Sequence, residues 1–341
     1  MNRENKNRRL FPKVRFFRYI VPLICLGLAV VIFMPKISNI EDVLSVIKTM
    51  NKWLVGLAVV AQVLSYAGSG DILRTIMKHG EFPLTIVRGA LITMAAASFG
   101  LVAGGWISAS AATYYWISKN DKVSGDAEVA GVLPSLYNTG TLIIVTFMGM
   151  VYLVLNHSLS KSQIIFYSSI FAVTTVSILI IILALLHPDK VKPLLLVTIN
   201  KVARLIKRHY DLSKAGSRID LFYNEIQKLG NRGWVKPGLG SVINVIFDII
   251  TLYIFFMAAG LFIKPSVLIA GYSIVFLIGK VAFFAPGGSG VIEAGMLAIY
   301  SSLGISAHIC VVAVLGYRLL SFWIPSLLGF LGMFYLEKTS V

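Results

Sequence analysis

The chain has 341 residues, of which 57% are hydrophobic and 13% charged, with a net charge of +16 and a mean hydropathy of +0.81. A soluble domain of this size needs far more charge on its surface. A basic excess that would suggest nucleic acid in a soluble protein is here read as cytoplasmic loops following the positive-inside rule, so the sequence predicts an all-α polytopic membrane protein with no nucleic-acid partner.

Residues 1–18 form a basic N-terminus expected in the cytoplasm, with seven Lys and Arg before Tyr19. The apolar run Tyr19–Pro35 follows. It carries no small-x-small cleavage site and reads as an uncleaved anchor and first span. Trp53–Gly70 is the second span, and "GSGD" at Gly68–Asp71 reads as a cytoplasmic turn at its end. Thr85–Ile117 is too long for one simple helix and is broken at "SFGLVAGGW", where Gly104 and Gly105 free the backbone. Val129–Leu155, Ile164–Leu186 and Gly238–Ile263 are further spans, Val267–Leu303 is broken again, and Ala307–Leu336 closes the chain. Cys25 and Cys310 lie in apolar segments as packing residues.

Between the spans, residues 187–236 form a basic amphipathic loop expected in the cytoplasm, with eleven Lys and Arg against four acids. Leu195, Ile199, Val202 and Ile206, then Ile219, Phe222 and Ile226, recur at helical spacing. Such a segment can lie on the inner leaflet and gather anionic lipids, or serve as a plain positive linker. It also discriminates between topologies. If both broken segments cross fully, 13 Lys and Arg fall inside and 16 outside. If both dip in and return, 24 fall inside and 5 outside, with Lys280 and Arg318 within the membrane. Only the second count obeys the rule.

The broken segments also match each other. "FGLVAGGWISASAATYYW" (Phe99–Trp116) overlays "FFAPGGSGVIEAGMLAIY" (Phe283–Tyr300), and two spans precede each and one follows. An odd number of crossings per unit makes this an inverted repeat, the plan of many transporters. The expected architecture is about six full spans plus two opposed re-entrant hairpins, eight helical segments in all. Residues 19–186 hold the first repeat and the start of the second, and 237–341 the remainder.

In "FFAPGGSGVIEAGM", Pro286 removes a donor, while Gly287, Gly288 and Gly290 permit positive φ and close approach. This reads as a hairpin tip, with a new helix starting near Gly290 and Glu293 in its first turn. There an acid suits the helix dipole, and the free N–H groups face any anion. Glu293 is thus either a cap or the lining of a polar cavity handling a proton or headgroup. Asp248, Lys280 and Arg318 also lie deep. Arg318 falls roughly 12 residues, about 18 Å, into its helix and needs an acid, from Glu293 or Asp248 or both. Asn244 and His308 are weaker candidates, each explicable as a hydrogen bond between helices. No HExxH, GxSxG or phosphate-binding glycine loop is present, nor any His or Cys cluster, so no catalytic residue, metal or cofactor is expected.

"PGGSGVIEAG", with "YRLLSFWIPSLLG" downstream, resembles the flippase-like transmembrane domain of the lysylphosphatidylglycerol synthase family. The family hairpin falls on Pro286, Gly287, Gly288, Gly290 and Glu293, and its downstream arginine on Arg318. Ser289, Phe284 and the proline-free "AGGW" depart from the family pattern. The resemblance covers nearly the whole chain and implies carriage of a lipid across the cell membrane. The sequence ends at Val341, five residues after its last helix, so the family's soluble lysyltransferase domain is expected to be missing. The alternatives are a phosphatidylglycerol lysyltransferase-type enzyme and a non-transporting scaffold. Expected partners are membrane lipids, anionic ones above all, with a second copy of the chain or a lipid-modifying enzyme in addition. Both termini are expected in the cytoplasm.

Overall fold

The computed structural model describes residues 40–78, 84–103, 105–118, 126–156, 160–205, 212–228, 235–281 and 290–338. The N-terminus 1–18, the first expected span Tyr19–Pro35, Cys25, Gly104, Pro286, Gly287 and Gly288 lie outside the described residues. Every element described is a helix: α1 (Ile40–Thr49), α2 (Lys52–Met77), α3 (Ile86–Ala103), α4 (Gly105–Ser118), α5 (Asp126–Asn156), α6 (Lys161–Leu186), α7 (Pro188–Leu205), α8 (Leu212–Lys228), α9 (Val235–Ala258), α10 (Pro265–Val281), α11 (Val291–Ser302), α12 (Ala307–Arg318), a π turn at Leu319–Trp323, and α13 (Ile324–Lys338). Among them, α2, α5, α6, α9 and the run Ala307–Lys338 are long and apolar enough to cross a membrane. The chain is an all-α, polytopic membrane protein.

Side chains set the helix starts. Asn51 Oδ1 accepts from Trp53 N–H at 3.0 Å to open α2. Ser160 and Gln163 exchange side-chain and backbone bonds at the head of α6.

Both broken segments are helix pairs. In the second, Gly279 of α10 packs against Ile292 of α11, Gly271 packs against Tyr300, and Tyr300 O–H donates to Leu268 O at 2.9 Å. Position falls on α10 as it rises on α11, so the arms are antiparallel and the chain turns back. At 12 residues, α11 reaches about 18 Å, short of a bilayer core of roughly 30 Å. In the first pair, Gly100 lies against Gly105 and Ala109 across a single connecting residue.

The contacts pair helices from the two halves of the chain. α2 and α9 hold equivalent places and pack together: Gln62 meets Asp248, Ser65 meets Asn244, and Gly68 meets Gly240. They run antiparallel, as inverted units require. α3 packs on α13 through Ser98–Ser326 and Gly329–Met94, and α10 packs on α5 through Gly149–Ile269. Each hairpin thus leans on the closing helix of the other repeat. Two apolar cores result. One surrounds the second hairpin, with Phe256, Ile274, Tyr300 and Tyr317, and the other the first, with Ile92, Ile117 and Leu133.

One reading is corrected. Gly68–Asp71 is not a turn: α2 runs unbroken through it to Met77. The small residues serve helix crossing instead. A Cβ on Gly68 would come within 2.6 Å of Asn244 N, and one on Gly70 within 2.8 Å of Ala90 N. Close backbone approach of this kind is how membrane helices gain packing.

The segment between α6 and α9 is two amphipathic helices. Lys192 Nζ bonds Asp220 at 2.6 Å to tie α7 to α8, and Tyr223 O–H donates to Ala184 O at 2.9 Å to tie α8 to α6. Leu194 and Val197 of α7 remain exposed.

Candidate functional site

The site is built where α11 begins. Gly290 adopts φ 80°, a left-handed conformation that suits glycine, and caps α11. Its N–H donates to Glu293 Oε2 at 2.7 Å, so the acid closes the first turn from within, favoured by the helix dipole. The other oxygen, Oε1, accepts from Arg318 Nε at 2.6 Å. Glu293 is 1% exposed and Arg318 2%. Two full charges at this depth are tolerable only as a pair with further hydrogen bonds.

Arg318 ends α12 at the π turn, a wide turn that recurs at functional positions in helices. Its guanidinium stacks on Phe322, with Cζ 4.1 Å from the ring centroid. Nη2 is buried and, among the described residues, has no hydrogen-bond partner. The π turn also presents Ser321 O, which accepts from Tyr66 O–H of α2 at 2.9 Å.

Arg318 does not hold both carboxylates. Tyr272 and Tyr317 each donate to Asp248 Oδ2 at 2.6 Å, and Gln62 Nε2 donates to Oδ1 at 3.1 Å. Successive helix positions point about 100° apart, so Tyr317 reaches Asp248 on α9 while Arg318 reaches Glu293 on α11.

Lys280 occupies the last turn of α10, half-buried. The contact of Gly279 with Ile292 puts it level with the first turn of α11. It makes no polar contact with Glu293 among the described residues. Asn244 is a helix-to-helix bond, donating to Ser65 O at 2.9 Å. His308 is exposed in the first turn of α12 and lies outside the buried cluster. Sequence reasoning missed Gln62, Tyr66, Tyr272 and Tyr317. One signal was available: a glutamine inside the apolar run Trp53–Gly70 needs a partner.

Residues 23–329 match the model of the lysylphosphatidylglycerol synthase transmembrane region. The chain belongs to this family. It is 26% identical over 232 residues to a UPF0104 membrane protein of Methanocaldococcus jannaschii, covering 66% of this chain and 67% of that protein. It is 34% identical over 84 residues to a UPF0104 membrane protein of Methanothermobacter thermautotrophicus, 25% of each. Within this family's chain, the hairpin glutamate and the downstream arginine come together as one ion pair although 25 residues apart in sequence.

Proposed function

We propose that this protein carries a polar-headed lipid between the leaflets of the cell membrane, with the Arg318–Glu293 pair at the headgroup site. The observation that carries the reading is a buried arginine, at the π turn of a spanning run, whose Nη2 has no hydrogen-bond partner among the described residues. Buried polar atoms are costly to leave unmatched. A planar guanidinium with an open N–H suits a phosphate oxygen, which makes an anionic phospholipid the substrate class. Ionisable groups inside a membrane protein mark substrate or ion pathways by default.

In this reading Glu293 holds Arg318 in place while no lipid is bound. The headgroup then shares the guanidinium, and motion of α10–α11 against α12 exposes it to one leaflet at a time. Inverted repeats with broken helices are suited to such motion. The N- and C-termini and the α7–α8 pair face the cytoplasm, where their Lys and Arg meet the anionic leaflet.

The test is reconstitution in liposomes with lipids carrying fluorescent headgroups, reading accessibility to an impermeant quencher over time. Faster transbilayer movement of phosphatidylglycerol than in protein-free vesicles is expected. Equal rates across anionic, zwitterionic and neutral lipids would contradict the reading.

A further inference from the structure

Beside the ion pair lies a second polar cluster that the headgroup site does not use. Asp248 sits on α9 close to where α2 crosses it, at the joint between the repeats. It accepts from Tyr272, Tyr317 and Gln62. Three donors and no acceptor suit a carboxylate, since a carboxyl group has an O–H of its own to place. One atom breaks the balance: Gln62 Oε1 is buried and, among the described residues, without a partner, on a side chain 6% exposed. Next to a carboxylate that oxygen has nothing to accept. Once Asp248 carries a proton on Oδ1, a half-turn of the Gln62 amide lets Oδ1–H donate to Oε1. The Gln62 amide therefore has one hydrogen bond to offer Asp248 in either protonation state, Nε2–H to a carboxylate or Oε1 to a carboxyl O–H.

The groups facing Asp248 can be named element by element. α2 brings Gln62 and, one turn on, Tyr66, α10 brings Tyr272, and α12 brings Tyr317 with Arg318 next to it in the chain. α5 meets α9 through Asn138 and Thr141 at Ser241, about two turns away. Arg318 is the one cation in this set, and it is the residue whose Nη2 lacks a partner among the described residues.

We propose that Asp248 is a proton site linked to the anion site at Arg318, so that an anionic headgroup and a proton bind together and leave together. The inference rests on the headgroup reading of Arg318. An anion on the guanidinium offsets the positive charge that favours the Asp248 carboxylate, so protonation becomes easier. By reciprocity, protonation makes the anion bind more tightly. The proton comes from water, forms one O–H bond at Oδ1, and returns to water on release. The Gln62–Asp248 bond that rearranges spans the α2–α9 crossing, where one repeat moves against the other.

The experiment uses the full chain in phosphatidylcholine nanodiscs, with short-chain phosphatidylglycerol as the probe. Infrared difference spectra follow carboxyl C=O bands across an acid-to-alkaline titration, and probe binding is measured at both ends. A band absent in Asp248→Asn should titrate and respond to the probe. The wild type should bind the probe at least about fivefold more tightly in acid, and that difference should vanish in Asp248→Asn. If Asp248→Asn does not fold, Gln62→Met, which removes the orphan acceptor, should shrink the same difference. A silent band, a band indifferent to the probe, or pH dependence unchanged in the folded variant would overturn the linkage. Lipid movement is not read here, so failure of the liposome assay sinks the translocase reading without deciding the proton site.

Discussion

The hairpins α3–α4 and α10–α11 are laid out alike and carry different chemistry. The second arm of each opens at a glycine of positive φ, Gly105 at 76° and Gly290 at 80°. Each packs on the closing helix of the opposite repeat, through Gly329 in one case and Gly149 in the other. The sequence overlay of Phe99–Trp116 on Phe283–Tyr300 puts Ala109 opposite Glu293, and its gapless extension brings Pro134 opposite Arg318. The first repeat thus has a proline within α5 where the second has an arginine and a π turn. Both positions lie inside a spanning run, α5 helical throughout and Ala307–Lys338 carrying the π turn, and only one is charged. The two hairpins share a packing plan, and the buried ion pair belongs to one of them.

The comparison can be broken most completely through topology. In a background lacking Cys25 and Cys310, a cysteine at Ser306 should react with an impermeant thiol reagent applied to intact cells. One at Ser217 should be protected. Both serines are exposed, so protection reports sidedness and not burial. Labelling of the Ser217 site from outside would mean that both hairpins cross, and the inverted arrangement would fall.

The next largest effect separates the two positions by charge. Arg318→Ala leaves Glu293 buried without its counter-charge, at a cost of about 3–5 kcal/mol, read as a large drop in thermal stability in detergent. Pro134→Ala restores a helix donor at the equivalent place and should change stability by no more than about 1 kcal/mol. Equal effects would remove the distinction between the halves.

The shared scaffold predicts the opposite pattern. Gly329→Leu would collide with Met94 O and Ser98 Oγ, and Gly149→Leu with Ile269. Each should cost about 1–3 kcal/mol, similarly in the two repeats. Gly140→Ala, with nothing within 4 Å of its Cβ, should lie within about 0.5 kcal/mol of wild type.

Much of this was legible before the structure. Spans follow from the length of apolar runs, and the start of α11 from Gly290 followed by Glu293. The need of Arg318 for an acid follows from depth alone. The choice between Glu293 and Asp248 did not, because it depends on the direction in which positions 317 and 318 point. The tyrosines around Asp248 come from separate helices and share no spacing. Gln62 lies 186 residues from its partner, beyond the reach of any local pattern. Gly68–Asp71 misled for a related reason: small residues mark a turn in water and a helix crossing in lipid.

The central claim is that the buried pair serves transport and is not required for folding. The direct measurement is lipid movement by Arg318→Met combined with Glu293→Leu, in liposomes holding phosphatidylglycerol with a fluorescent headgroup. Apolar replacement of a buried pair is often neutral or stabilising, so the double variant should melt at or above the wild-type temperature. It should move lipid no faster than protein-free vesicles do. Wild-type rates from this stable double variant would contradict the account.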